Sequence, residues 1–502
     1  MDLADVIKFL FLGFDTALTP SNLFVCGVGI LIGTIVGALP GIGPTGAVAI
    51  LLPASYKLGP AAALILLAGI YYGTQYGGTI TSVLMRVPGE SSSVVTTFDG
   101  YQMAKQGKAG VALGISAIGS FIGGTLSVIG LMVLGPLLAN YALAFGPPEY
   151  FGLMVLALSL ITAFTGKSLV RGLIATVFGL LLGCVGDDVI SGDPRLTFGI
   201  KGLLDGIQFL PVAVGLFGVS EMIESLARKG GVDMVRADVG WRKVLPSWAD
   251  IRQSAGAIGR GSILGFLVGV LPGAGATIAS FLSYGVEQKV SRTPERFGKG
   301  AIEGVAGPET ANNASTGGAF VPMLSLGIPG SGTTAVLLGG FLMFGLHPGP
   351  SLFREAPEVV WGLIASMYIG NVALLVINVG FIPLMVRMMD WIKPYLRIVV
   401  LVLAFVGVYS FRNTVLDVLV MFTFAVLGFF MKKYDFPQAP VVLGLILGDR
   451  AEISLRQSLT ISQNDPSIFF TQPISAVLLI TALVSFFLPV VSKALKKMIS
   501  SN

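Results

Sequence analysis

Val270-Leu-Pro-Gly-Ala-Gly-Ala-Thr277 is followed along the chain by Gly307-Pro-Glu-Thr-Ala-Asn-Asn-Ala-Ser-Thr-Gly-Gly318 and Gly327-Ile-Pro-Gly-Ser-Gly-Thr-Thr334. Apolar sequence flanks all three pieces. Recurrent Pro and Gly with clustered polar side chains do not suit an ordinary membrane helix. Irregular backbone at membrane depth persists only where protein buries it or where it lines a cavity. The stretch Gly269–Pro350 therefore reads as half of a solute site, with the other half near residues 37–97.

The surrounding composition fixes the class. The 502 residues are 54% hydrophobic and only 12% charged, against about 25% charged in soluble proteins. Long apolar segments without charge recur, so the expected fold is an all-α polytopic membrane protein. Glycine numbers 67, well above the ordinary share of about 7%, and in membrane helices it permits close packing and breaks. The net charge of +5 comes mostly from loop Lys and Arg, which reads as membrane orientation and not nucleic-acid binding. Cys26 and Cys184 sit in apolar sequence and form neither a metal spacing nor a disulfide framework. Residues 1–18 carry Asp2, Asp5, Lys8 and Asp15 and lack the basic start of a cleavable signal. There is no phosphate-binding Gly-x-x-x-x-Gly-Lys-[Ser/Thr] loop and no His-Glu-x-x-His, and the single His347 lies in a Pro-Gly turn. Energy must then come from a gradient or a partner, and no enzymatic activity is expected.

Two interrupted stretches also occur early in the chain. Leu39-Pro-Gly-Ile-Gly-Pro44 breaks residues 22–57; Tyr71-Tyr-Gly-Thr-Gln-Tyr-Gly-Gly78 and Val87-Pro-Gly-Glu-Ser-Ser-Ser93 interrupt residues 61–100. Pro40 matches Pro272 at an offset of 232, Pro88 matches Pro329 at 241, and Pro211 matches Pro440 at 229. Ordered matches of this kind indicate duplication. Plainer spans are expected near 110–138, 149–166, 170–187 and 207–226, then 358–386, 395–411, 414–431, 437–449 and 474–493. Basic loops near residues 105, 167 and 228–260 read as cytoplasmic, and an odd number of crossings per copy inverts the second.

The expected organisation follows. Residues 1–20 form an interfacial helix or short span. Residues 21–230 form the first inverted repeat, with a re-entrant hairpin at about 22–57 and a broken helix at about 61–100. Residues 231–254 are a cytoplasmic linker. Residues 255–460 form the second repeat, with a hairpin at about 260–288 and a broken helix at about 301–346. Residues 461–502 are a last span and basic cytoplasmic tail. This gives about 11–12 transmembrane helices besides the two hairpins.

Each hairpin tip starts a half-helix whose free N–H groups and positive dipole end suit a carboxylate. Pro40, Gly41, Gly43 and Thr45 supply one tip, and Gly273, Gly275 and Thr277 the other. The alternative is that each tip is merely a packing kink. Tyr71, Tyr72 and Thr74, with Asn312, Asn313, Ser315 and Thr316, are the candidate substrate donors, expected on unwound backbone. Their hydroxyls and amides otherwise satisfy helix backbone. Glu309, Gln75, Ser92 and Thr333 are the coupling-ion or proton candidates, because an acid at membrane depth marks a functional site. The bland reading pairs Glu309 with Lys299 or Arg296 near the cytoplasmic end, and Glu90 with Arg86.

Leu39-Pro-Gly-Ile-Gly-Pro44, Leu271-Pro-Gly-Ala-Gly275, Gly307-Pro-Glu-Thr-Ala-Asn-Asn-Ala314 and Leu326-Gly-Ile-Pro-Gly-Ser331 together closely resemble the large membrane subunit of tripartite tricarboxylate transporters, the TctA family. The resemblance extends to about residue 460. It implies a bacterial inner-membrane secondary carrier working with a small TctB-like membrane subunit and a TctC-like periplasmic solute-binding protein. Citrate or another carboxylate would be the substrate, with Na⁺ or H⁺ as coupling cation and no other cofactor. An elevator-like motion is expected by analogy with other inverted-repeat carriers. The competing reading is a channel or uncoupled facilitator for small anions.

Overall fold

The computed structural model describes residues 3–38, 43–86, 88–142, 144–164, 168–188, 192–227, 244–273, 275–380, 398 and 401–499. In chain order its first helices are α1 (Leu3–Ala17), α2 (Pro20–Gly37), α3 (Pro44–Ser55), α4 (Pro60–Met85), α5 (Thr96–Lys105), α6 (Ala109–Ala142), α7 (Pro147–Phe164) and α8 (Leu169–Gly183). A short antiparallel pair, β1 (Gly186–Asp187) and β2 (Pro194–Arg195), precedes α9 (Phe209–Ala213) and α10 (Ser220–Ala227). Then come α11 (Trp248–Val270), α12 (Gly275–Val290), α13 (Glu303–Leu326), α14 (Gly332–Met343), α15 (Leu352–Glu355) and α16 (Pro357–Gly380). The chain closes with α17 (Leu401–Arg412), α18 (Val415–Lys433), α19 (Ala439–Ile461), α20 (Ile468–Thr471) and α21 (Pro473–Ile499).

This is an all-α polytopic membrane protein. Among the described residues, α2, α6, α16 and α18 are long and apolar enough to cross a bilayer, and shorter apolar helices accompany them. By contrast α3, with 12 residues, extends only about 18 Å at 1.5 Å per residue, short of a hydrocarbon core of about 30 Å.

The chain forms two compact units, each taking segments from both halves of the sequence. One contains residues 1–140 and 217–413, the other 141–216 and 414–502. In the second unit, Arg195 pairs with Glu452 at 2.8 Å and Arg456 with Asp188 at 3.0 Å. The β1–β2 pair is thus tied to α19. These pairs also explain why α19 continues past the expected end at residue 449 to Ile461. The expected plain span at 207–226 is instead interrupted by a π-helical turn, Val214–Val219.

Every candidate site residue that is described lies in the first unit. At its centre are α4, buried from Ala63 to Met85, and α13, buried from Gly304 to Ser325. Their polar side chains face protein, while Phe24, Leu126, Ile263 and Val372 on surrounding helices are exposed. That apolar-outside arrangement suits lipid.

Glycine sets how the central helices are held. A Cβ at Gly29, Gly33 or Gly37 of α2 would lie 2.5, 2.5 or 2.2 Å from the backbone oxygens of Leu66, Ile70 and Thr74 on α4. At Gly261, Gly265 or Gly269 of α11 it would lie 2.5, 2.3 or 2.3 Å from those of Gly307, Ala311 and Ser315 on α13. The two glycine sets are related by 232 residues (261 − 29, 265 − 33, 269 − 37), and their partners by 241 (307 − 66, 311 − 70, 315 − 74). In both pairs the ascending order matches, so the paired helices run parallel. With no hydrophobic drive between helices in lipid, this backbone-to-backbone contact is the packing term that small residues supply.

One expectation is corrected here. Residues 71–78 and 309–316 are not unwound: α4 and α13 run through both. Polar residues there cost little because neighbouring helices enclose them. Of the expected interruptions, only the later Pro-Gly segments break the helices. Arg86 (φ 55°) and Gly327 (φ 72°) end the two helices in left-handed conformation, and residues 88–90 and 328–331 form the interruptions.

Candidate functional site

The two breaks are built alike. After the first, Glu90 is the N-cap of a short 3₁₀ turn and pairs reciprocally with Ser93. After the second, Ser331 caps α14 and pairs reciprocally with Thr334. Both are capping boxes, which satisfy two orphan backbone donors at once, and the caps are again related by 241 residues. A Cβ on Gly89 would meet the Gly37 oxygen at 2.1 Å, and one on Gly330 the Gly269 oxygen at 3.0 Å. Each break is therefore wedged against the end of its own α2–α4 or α11–α13 pair.

Hairpin tips and breaks then exchange partners between halves. Thr45, in the first turn of α3, shares a 2.9 Å hydrogen bond with Thr333 of the second break. Thr277, in the first turn of α12, shares one of 2.9 Å with Ser91 of the first break. Ser91 was not among the expected site residues. Gly43 is the extended N-cap of α3. Gly273 and Gly275 adopt φ of 83° and 64°, a region open mainly to glycine, and the Gly273 N–H donates to the Gly330 carbonyl at 3.0 Å. Pro40 and Gly41 lie outside the described residues.

Behind the tips are two buried carboxylates. Glu90, on the first break, accepts from Asn312 Nδ2 at 2.9 Å and from the Ser92 hydroxyl. With its amide oriented to satisfy both ends, Gln75 also donates to Glu90, and to Asn312 Oδ1 at 3.0 Å. Glu309, one turn before Asn312 on α13, accepts from Thr79 at 2.6 Å and from Thr96. Among the described residues neither acid forms an ion pair: Arg296 pairs with Glu303, and Arg86 lies over the Tyr101 ring. The bland readings of both acids are thereby replaced. Every partner given to these carboxylates is a neutral hydroxyl or amide, an arrangement that leaves a negative charge uncompensated in a buried place.

The remaining candidates divide. Tyr71 reaches Ser331 at 3.4 Å, joining α4 to the second break. Asn313 donates to Ser120 on α6 at 2.7 Å. Tyr72, Asn313 and Thr316 line a small cavity with Ser127 and Asn371. The hydroxyls of Thr74 and Ser315 instead bond backbone within their own helices, at 2.6 and 2.7 Å. Residue-type reasoning missed Thr79, Thr96 and Ser331. An exact offset of 241 would have found Ser331, because it aligns with Glu90.

Three comparisons bear on what such a site serves. The profile of the tripartite tricarboxylate transporter TctA family matches residues 23–443. The chain belongs to this family. It is thus a membrane subunit of the tripartite tricarboxylate transporter type. Among its relatives is an uncharacterised 52.8 kDa protein of Agrobacterium vitis, from the TAR-I ttuC' 3' region, 45% identical over 95% of both chains. Another, from the TAR-II ttuC' 3' region of the same organism, is 42% identical over 45% of this chain and 93% of its own length. No solved structure matches. The matched TctA region contains both tips, both breaks and both buried acids.

Proposed function

We propose that the protein is the large permease subunit of a binding-protein-dependent secondary transporter that imports tricarboxylates or related carboxylates across the bacterial inner membrane. The observation that carries this reading is the exchanged pairing of Thr45 with Thr333 and Thr277 with Ser91. It brings the N-terminal turn of each hairpin's second helix against the break of the other half. N-terminal turns of that kind offer unpaired N–H groups to an anion. A solute carboxylate would bind between the tips, with Gly43, Gly273 and Gly275 allowing close backbone approach and Thr45, Thr277, Tyr71 and Asn312 donating.

Glu309 and Glu90 would carry the coupling cation, H⁺ or Na⁺, with Gln75, Ser92 and Thr333 nearby. A buried acid surrounded by neutral donors gains from binding a cation. The repeated offsets support two inverted-topology repeats bounded as the loop charges suggest, and a hairpin-bearing unit moving in an elevator-like manner. A TctB-like small subunit and a TctC-like periplasmic binding protein would complete the assembly.

The test is uptake into vesicles carrying the reconstituted subunits, with binding protein supplied and Na⁺ and pH gradients imposed separately. Accumulation of a carboxylate above its external concentration under one gradient is expected. Flux that stays downhill under every gradient would identify a facilitator instead.

A further inference from the structure

The two breaks are alike in backbone but differ at one side chain. Gly327 ends α13 in left-handed conformation, and a Cβ there would lie 2.6 Å from the Pro348 carbonyl oxygen. No side chain fits. At the equivalent position, 241 residues earlier, α4 ends on Arg86 with φ 55° and ψ 23°. A left-handed non-glycine residue is strained, and such strain clusters at functional sites. Arg86 is exposed, and its guanidinium carbon lies 5.9 Å from the centre of the Tyr101 ring on α5. Lys105, also exposed, places Nζ 4.9 Å from the centre of that same ring. Two cations thus converge on one aromatic ring, and among the described residues neither has an acidic partner. The acids nearby in sequence are turned elsewhere. Asp99 accepts from the Gly300 and Ala301 N–H groups and the Tyr284 hydroxyl at 2.7, 2.8 and 2.8 Å. Glu90 is buried against Asn312. Ser91 of the break is exposed.

We propose that Arg86 and Lys105, seated on Tyr101, form an anion clamp that holds a carboxylate of the transported solute at the mouth of the first break. The assignment rests on the carboxylate-transport reading above. By the loop charges this mouth faces the cytoplasm, so the clamp serves the inward-facing end of the path, and the second break, ending on Gly327, has no counterpart. Guanidinium binds carboxylate bidentately, and an ammonium adds a point charge.

The experiment is equilibrium binding of labelled citrate, succinate and acetate to the purified full-length protein in phosphatidylcholine nanodiscs. Arg86→Gly is the informative variant because glycine suits the left-handed backbone. Its melting temperature should equal or exceed that of the native protein. Citrate binding should weaken about tenfold or more, as for loss of one charge-assisted contact, while acetate changes little. Arg86→Lys, which keeps the charge but loses the bidentate fork, should fall between the native protein and Arg86→Gly, and Lys105→Ala should act in the same direction as Arg86→Gly. Native citrate affinity in a folded Arg86→Gly protein would reduce Arg86 to a helix cap and overturn the clamp. If the variants lose only a response to added phosphatidylglycerol, the ligand is a lipid phosphate, which also overturns it. If the native protein binds none of the three acids, the carboxylate reading fails and the clamp with it.

Discussion

Glu309 and Asn312 show what a single residue decides in this site. Glu309 is 1% exposed and held by two threonine hydroxyls. Glu309→Gln keeps the shape but turns one acceptor oxygen into an N–H donor, which a rotated threonine hydroxyl can accept, and it removes the charge that would bind a cation. Solute exchange across the membrane should persist in this variant, while accumulation driven by an ion gradient should disappear. Parallel counterflow and accumulation assays separate the two, and accumulation at the native level would remove Glu309 from coupling. Asn312 is different, because it links Glu90 and Gln75 across the break. Asn312→Ala leaves buried polar groups unpaired at about 1–3 kcal/mol. Uptake should fall by about tenfold or more with helical content by circular dichroism unchanged.

At the scale of elements, glycine registers hold the paired helices together. Gly265 lies under Ala311, where a Cβ would approach the backbone oxygen to 2.3 Å. Leucine there must separate α11 from α13, and overpacking of that sort costs about 1–3 kcal/mol or more. Gly265→Leu should lower the melting temperature markedly. Gly259→Ala, in the same helix but with nothing within 4 Å, should be neutral or stabilising by about 0.5–1 kcal/mol. Similar losses from both would show that α11 is not held through this face. The exchanged tips allow a second check. Thr45→Cys with Thr333→Cys, in a protein lacking Cys26 and Cys184, should form a disulfide on mild oxidation, and its absence would place the tips apart. Much of this was legible in the chain. The class, the helix–tip–helix elements and the Pro-Gly matches followed from hydropathy and punctuation. So did the breaks near residues 88–93 and 327–331, but the unbroken helices before them did not. Polar clusters such as Tyr71–Gln75 and Glu309–Thr316 look like interruptions in a one-dimensional reading. They are helical because α2, α6 and α11 cover them, and coverage is a tertiary property. Likewise, Thr79 and Thr96 have no local mark that ties them to Glu309.

For the molecule as a whole, the pairing of each tip with the opposite break carries a consequence for access. If the two repeats are inverted, their breaks face opposite sides of the membrane, and a carrier should open only one at a time. In this structure Ser91 of the first break is exposed, while Ser331 and Gly332 of the second are only partly so. In right-side-out vesicles and in inside-out vesicles, Ser91→Cys and Gly332→Cys can be probed with a membrane-impermeant maleimide, again in a background without Cys26 and Cys184. Ser91→Cys should react from the cytoplasmic face only, and Gly332→Cys from the opposite face only. Solute with the coupling cation should raise one rate as it lowers the other, because a ligand that favours one state depopulates its alternative. Reaction of both sites from the same face would refute inverted topology. Opposite faces with simultaneous full reactivity would instead describe an open pore, which cannot accumulate solute. The two-sided labelling therefore decides between carrier and channel without knowing which solute is carried.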